Sequence, residues 1–252
     1  MRRLVCLVSA LVVFIAVTAP AYGQPPQSES VQGRIFAGIN FLATTGVEDL
    51  DAHVGFEQYL QTGEIVTQQD IGTMGTFDIG GAYGITRRLI VGISYSRASS
   101  SGGATVTGTV PHPQVFNQPR PFEASVGDLS RTEQGVHIFA GWFVPLRPNM
   151  DVILSIGPSI FTVKQGVASG IDFTEAPDFT SIVVNSVTVT EPSATGVGIN
   201  VGADFSYMFT PRFGAGLLLR WASATVDLDV AGGSFESRAG GFQVGGGLRV
   251  RF

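Results

Sequence analysis

Eight stretches of this chain alternate apolar and polar residues with a period of two, the pattern of strands whose two faces meet different surroundings. The first, about 31–43, sets Val31, Ile35, Ala37, Ile39 and Phe41 against Arg34 and Asn40. The second, about 73–85, sets Phe77, Ile79, Tyr83 and Ile85 against Thr76 and Asp78, and the third, about 89–98, sets Leu89, Val91, Ile93 and Tyr95 against Gly92, Ser94 and Ser96. The fourth, about 131–144, carries Val136, Ile138, Trp142 and Val144 on one face and Arg131, Glu133 and His137 on the other. The fifth, about 151–164, shows Val152, Leu154, Ile156 and Ile160. The sixth, about 195–209, sets Val197, Ile199, Val201, Phe205, Tyr207 and Phe209 against Asn200, Asp204 and Ser206, and the seventh, about 213–226, sets Phe213, Leu217, Leu219 and Trp221 against Arg220. The eighth, Phe242 to Phe252, places Phe242, Val244, Leu248, Val250 and Phe252 opposite Gln243, Arg249 and Arg251.

A soluble core strand does not bury a face with two arginines. Lipid outside and a wet or ion-paired lumen inside require this alternation. The connections then set the topology. Thr86 to Arg88, Pro145 to Met150 and Thr210 to Arg212 are tight turns, whereas roughly 44–72, 99–130, 165–194 and 227–237 are long polar loops. Short turns at one end and long loops at the other, with an even strand count, predict an all-β, eight-stranded, antiparallel, up-and-down transmembrane β-barrel with both termini on the short-turn side. Closure leaves no open edge. The alternative, a soluble lipocalin-like barrel, requires the reverse pattern, with apolar residues inside.

The N-terminus agrees. Met1-Arg2-Arg3 is followed by an apolar run from Leu4 to Val17 broken only by Ser9, and Ala21-Tyr22-Gly23 is a small-x-small cleavage site. Residues 1–23 are therefore expected to be a signal peptide, with 24–252 as the barrel domain. An N-terminal membrane helix is the alternative, but the run is shorter than the ~20 residues a span needs. Cys6 is expected to leave with the signal, which excludes disulfides and thiol chemistry from the mature chain. Losing Arg2 and Arg3 leaves 13 basic against 20 acidic residues, net −7, and excludes nucleic acid as a natural partner.

The terminal strand ending on Phe252 resembles the C-terminal signature of bacterial outer-membrane barrels, and the whole mature chain resembles the small OmpA-, OmpX- and OmpW-like barrels. The resemblance rests on architecture and the terminal Phe, and extends to the barrel part alone of the OmpA pattern. It implies a porin-like protein of the Gram-negative cell envelope, exported to the outer membrane. There Phe252 would act as an assembly signal recognised by the barrel-assembly machinery, with outer-membrane lipid and lipopolysaccharide as surroundings and an extracellular partner as an open question.

Charge is segregated along the chain. Arg34, Arg87, Arg88, Arg147, Arg212, Arg249 and Arg251 gather toward the short-turn end. Glu48, Asp49, Asp51, Glu57, Glu64, Asp70, Asp172, Glu175, Asp178, Glu191, Asp227, Asp229 and Glu236 populate the long loops. Such loops either attract cations, bridge to lipopolysaccharide phosphates through divalent ions, or simply stay solvated by self-repulsion. Within the loops, Ser181–Thr190 and Glu64–Thr67 have strand character and could extend the wall as a protruding sheet able to bind by strand pairing, as the OmpX resemblance implies. Pro111 to Pro121 is expected to remain irregular.

Catalytic motifs are missing. Lys164 is followed by Gln165, no G-x-S-x-G occurs, and His53, His112 and His137 are too scattered for a metal site, so neither a metal nor a cofactor is expected. Gly196-x-Gly198-x-x-x-Gly202 lies within a strand and is no dinucleotide loop. The chemistry lies inside. Asp78, His137, Asp204 and Arg220 fall at similar distances from the short-turn end and are expected to form a lumen charge cluster, with Arg220 paired to Asp204, Asp78 or both. Arg34, Arg131, Glu133, Arg249 and Arg251 complete the lumen set. The cluster is either a static polar core or, as the OmpA resemblance implies, a gate. Pro158, mid-strand, marks either a bulge or a lateral opening of OmpW type. The leading expectation is a non-enzymatic structural or surface-interaction protein with at most a narrow gated pore. The alternatives are a transporter or small porin for small or apolar molecules and, least supported, a membrane-embedded enzyme.

Overall fold

A computed structural model describes residues 30–231 and 233–252. The expected signal segment 1–23, its boundary before Gln24, and Cys6 lie outside the described residues. The described residues form twelve strands: β1 (Ile35–Thr45), β2 (Leu50–Gln58), β3 (Gln61–Gln69), β4 (Met74–Gly84), β5 (Leu89–Val110), β6 (Arg120–Arg147), β7 (Met150–Gln165), β8 (Val167–Glu175), β9 (Ile182–Thr190), β10 (Ser193–Met208), β11 (Phe213–Val230) and β12 (Gly233–Arg251). Eight of them close a ring in the order β5-β4-β1-β12-β11-β10-β7-β6, completed by β5 against β6. Every neighbouring pair is antiparallel. The last rung of the β1–β12 seam is made by Phe252, whose backbone exchanges hydrogen bonds with Ile35 at 3.0 and 3.1 Å.

The predicted alternation sets the wall. Ile39, Phe77, Ile93, Ile138, Leu154, Ile199, Leu219 and Leu248 are exposed on its outer surface. Asn40, Asp78, Ser94, His137, Ser206, Arg220 and Arg249 are buried inside. On β11 the apolar outer stretch from Phe213 to Trp221 matches the ~9–11 residues of a tilted membrane strand. Aromatic residues collect at both borders, with Tyr207, Phe209, Phe213 and Phe252 at the short-turn end and Phe41, Phe77, Trp221 and Phe242 at the other.

The long loops are more ordered than their polarity suggests, and the strand character expected at Glu64–Thr67 and Ser181–Thr190 is present in β3 and β9. β6 runs for 28 residues and β5 for 22, so both continue far beyond the ~9–11 residues a membrane needs. β2 and β3 form a hairpin whose second strand pairs with the upper half of β5, Glu64 opposite Thr109 to Gln68 opposite Thr105. β8 and β9 form a separate two-stranded sheet. Polar side chains made β2, β8 and the outer parts of β5 and β6 look like loops, but the β-branched residues of the extension pack against one another in a core of their own. Only the tip, Pro111 to Pro119, stays irregular in the Pro-rich stretch.

Three further expectations are corrected. Val31 does not face outward; a turn before β1 folds it under the barrel, where it is buried with Phe36, Ile90, Phe143 and Ile153. β6 extends to Arg147, which shortens the following turn. Pro158 causes no bulge, since the β7–β10 register is continuous with Ile199 opposite Pro158.

Candidate functional site

The lumen is filled in layers. At the short-turn end Val31, Phe36, Ile90, Phe143 and Ile153 make an apolar plug. Arg251 lies 5.4 Å over the Phe36 ring and pairs with Asp151 at 2.6 Å. Above the plug runs one continuous polar chain. Asp204 pairs with Arg249 at 2.7 Å, and Arg249 Nη1 donates to Asn40 Oδ1 at 2.6 Å. Asn40 Nδ2 donates to Asp78 Oδ1 at 2.8 Å, and Asp78 pairs with Arg220 at 2.9 Å. Arg220 then donates to Gln243 Oε1 at 2.6 Å and to Ser94 Oγ at 3.0 Å. Pairing charges in this way is what a narrow, dehydrated interior demands, because a lone buried charge costs several kcal/mol.

Of the four residues expected to cluster, the structure joins Arg220 to Asp78 directly. Asp204 belongs instead to Arg249, because the barrel's shear sets Asp204 opposite Leu218 and thus one inward step below Arg220. Counting along each strand from its end does not capture this stagger. His137 lines the same space, but its ring nitrogens are held by Ser96 Oγ at 2.9 Å and Ser159 Oγ at 2.8 Å, with Phe161 edge-on at 5.3 Å. Arg34 lies half-buried at the short-turn end. Between these groups is a cavity of about 90 Å³, bounded also by Phe139, Ile153 and Leu218. At roughly 30 Å³ per water it has room for a few waters.

One rung pattern beside this cavity is broken. β6 and β7 pair from Arg131 to His137 and again from Ala140, but Ile138 and Phe139 do not pair with Pro158 and Gly157. Pro158 has no N–H to donate. The Asn200 amide donates to the carbonyls of Gly157 at 3.0 Å and Pro158 at 2.9 Å and to Ser159 Oγ at 2.8 Å, filling the interruption with a side chain.

At the neck, where β-wall passes into hairpins, Arg131 and Glu133 pair at 2.7 Å, both fully buried. Arg131 also donates to Gln165, Ser237 and the Arg238 carbonyl, at 3.2, 3.0 and 2.6 Å. Gln165 donates to Gln69 at 3.2 Å, and the Gly240 amide donates to Glu133 at 2.9 Å. Gly240 and its neighbour Gly241 take φ of 95° and 133°, a backbone that glycine adopts freely and L side chains rarely do. These groups link β3, β6, β7 and β12 where the barrel meets the extension.

The extension encloses an apolar core: Val54, Ile65, Val106, Val110, Phe122 and Ala168, packed with Ile182, Val184 and Val187 of β9. At its tip Arg120, buried, ties the β5–β6 and β8–β9 connections together. It donates to the Pro111 carbonyl at 2.9 Å and the Phe179 carbonyl at 3.3 Å, and pairs with Glu175 at 2.8 Å. Tyr59 also donates to Glu175, at 2.9 Å. Burial pushes the Glu175 carboxyl up, but hydrogen bonds from Arg120 and Tyr59 and the Arg120 charge outweigh it and hold the carboxyl below the ordinary range. Glu191 is held by Lys164, and His53 is raised above its usual range mainly by its hydrogen bond with Glu64. Part of the acidic loop set is therefore structural. Sequence reasoning placed Asn200 inward without a partner and missed Asp151, Gln165 and Arg120; no local motif marks these pairings, since the partners lie far away along the chain.

β9 pairs with β8 on one side only, and its other edge faces β6 across a groove of about 630 Å³ lined by Glu123 to Val126 and Ile182 to Val187. Fold and lumen together define an eight-stranded transmembrane β-barrel with an ordered β-extension. No protein-family model matches the chain, and no curated relative does. Solved structures of related shape are outer-membrane barrels. The outer membrane protein OprG of Pseudomonas aeruginosa aligns over 89% of this chain and 98% of its own at 9% identity, TM-score 0.44. Neisserial surface protein A covers 88% and 100% at 12% identity, TM-score 0.43. The outer membrane protease OmpT of Escherichia coli covers 89% and 100% at 11% identity, TM-score 0.47.

Proposed function

We propose that this chain is an outer-membrane barrel with a sealed lumen, non-enzymatic, whose role is carried by the surface extension. The observation that carries the reading is the filling of the lumen from Val31 to the Arg131–Glu133 neck, broken by one small cavity, beneath hairpins that have their own core. A conducting pore would not need an apolar-cored extension, and a surface-interaction protein does. The free edge of β9 supports strand pairing with another polypeptide. From Ile182 to Thr190 it is Ile-Val-Val-Asn-Ser-Val-Thr-Val-Thr, without a charge, Pro or Gly, whereas exposed edges are normally blunted by such residues. Export through residues 1–23, assembly through the Phe252 strand, and lipopolysaccharide around the wall belong to the same reading.

A second reading, transport of small or apolar molecules, is favoured by one observation: the cavity borders the broken rungs at Pro158, where Asn200 stands in for the missing ladder. Single-channel recording of the refolded protein in planar bilayers separates the two. The sealed lumen predicts no steady current; steady large conductance overturns it, and ligand flux sensitive to Asn200→Leu supports the second reading.

A further inference from the structure

On the outer surface of the wall, at the border where apolar positions give way to polar ones, the register brings Phe41, Phe77 and Arg97 into one row across β1, β4 and β5. The next row toward the extension is Ala43, Gly75 and Ser99, all small. A Cβ at Gly75 would meet nothing within 4 Å, so the wall is notched directly above the aromatic row. The result is a groove of about 540 Å³ lined by Phe41, Phe77, Tyr95, Arg97 and Ser99. Phe41 is 72% exposed and meets Phe77 edge-on at 5.6 Å. Tyr95, one inward-to-outward repeat below Arg97, continues the apolar floor toward the membrane centre.

Arg97 differs from the other outward cations of this border. Lys164 is bound by Glu191, and Arg238 lies 3.9 Å from Glu48. Among the described residues no carboxylate pairs with Arg97, and its cross-strand neighbours Phe77 and Gln134 carry no charge. An exposed guanidinium without a partner, set over a notch and above aromatic side chains, presents a forked donor to an anion and an apolar track to a chain. An aqueous solute would match only the first. An amphipathic molecule lying in the outer leaflet matches both, and the acidic extension would repel an anion at other heights.

We infer that this groove is a binding site for the phosphorylated headgroup of an outer-leaflet glycolipid of the lipopolysaccharide type, with a phosphate on Arg97 and an acyl chain along Phe41 and Phe77. This rests on the outer-membrane placement and not on whether the lumen conducts. The test is native mass spectrometry of the refolded full barrel in micelles doped with bisphosphorylated lipid A, with phosphatidylglycerol and phosphatidylcholine as comparison probes. Retained lipid A should fall about tenfold in apparent affinity in Arg97→Gln, the loss of a charge-assisted hydrogen bond. Lys164→Gln should leave retention unchanged, and Phe41→Ala should lower it. Undiminished retention by Arg97→Gln, or equal retention of phosphatidylglycerol by the native protein, overturns the proposal. Heat-dependent electrophoretic migration confirms folding of each variant, and a silent planar bilayer keeps the sealed-lumen reading intact whichever way the lipid result falls.

Discussion

β11 contains both halves of this molecule in a single strand. From Phe213 to Trp221 its outer face is Phe213, Leu217, Leu219 and Trp221, and its inner face carries Arg220. From Ala222 to Val230 the outer face becomes Thr225, Asp227 and Asp229, and the inner face Ala224, Val226 and Leu228. The strand keeps its phase while the chemistry of the two faces exchanges. Below the neck the outside solvent is hydrocarbon, so apolar groups face out and charges pair inside. Above it the outside solvent is water, so the extension builds an inward core like a soluble protein. The same backbone ladder serves both, and only the side chains register where the membrane ends.

The comparison is broken most severely at the ion pairs of the membrane half. Arg220→Ala strands Asp78 in the lumen, and is expected to destabilise the barrel by about 3–5 kcal/mol in denaturant unfolding from lipid vesicles, without opening a current. Openings in bilayer recordings would make the pair a gate. Next, Ile199→Arg, facing lipid, should cost about 2–4 kcal/mol near the midplane. Thr225→Arg, outward on the extension, should stay within about 0.5 kcal/mol. Equal costs at the two sites would erase the distinction between halves.

Smaller effects sharpen the picture of the tip. Tyr59 and Leu60 turn the β2–β3 hairpin with φ of 53° and 58°, and Leu60 is 98% exposed. Leu60→Gly should therefore stabilise the extension by up to about 1 kcal/mol by relieving the left-handed backbone, read as slower hydrogen exchange in β2 and β3 alone. The smallest effect is pH-dependent. Glu175 is held below its ordinary range, so its contribution is complete above about pH 4.5 and is lost as pH falls through the lowered value. Acidification should loosen the tip loops around Arg120 while exchange in the membrane wall stays unchanged, and Glu175→Gln should abolish that pH step.

The membrane wall was legible because its rule is local. A residue such as Ile199 faces lipid whichever strand lies beside it, so alternation along one segment suffices to place it. The same rule misled in the hairpins. Val226 and Leu228 are buried in a cluster with Phe161, Val163 and Ala239 from other strands, while Asp227 and Asp229 around them resemble a solvated loop. Val31 was misplaced for a related reason: a turn outside the strand carries it beneath the mouth, which no periodicity records.

Within the lumen, sequence alone determined which charges point inward, since Asp78, Asp204, Arg220 and Arg249 all follow from strand phase. It did not determine who meets whom. Shear displaces each strand along its neighbour, giving Arg220 to Asp78 and Arg249 to Asp204, and Asn200 reaches the bare Pro158 carbonyl because the strands happen to align there. Arg120 finds the Phe179 carbonyl and Glu175 across distances of 59 and 55 residues, a pairing that exists only once two hairpins have assembled. Direction is a property of the residue and its two neighbours; partnership is a property of the closed ring.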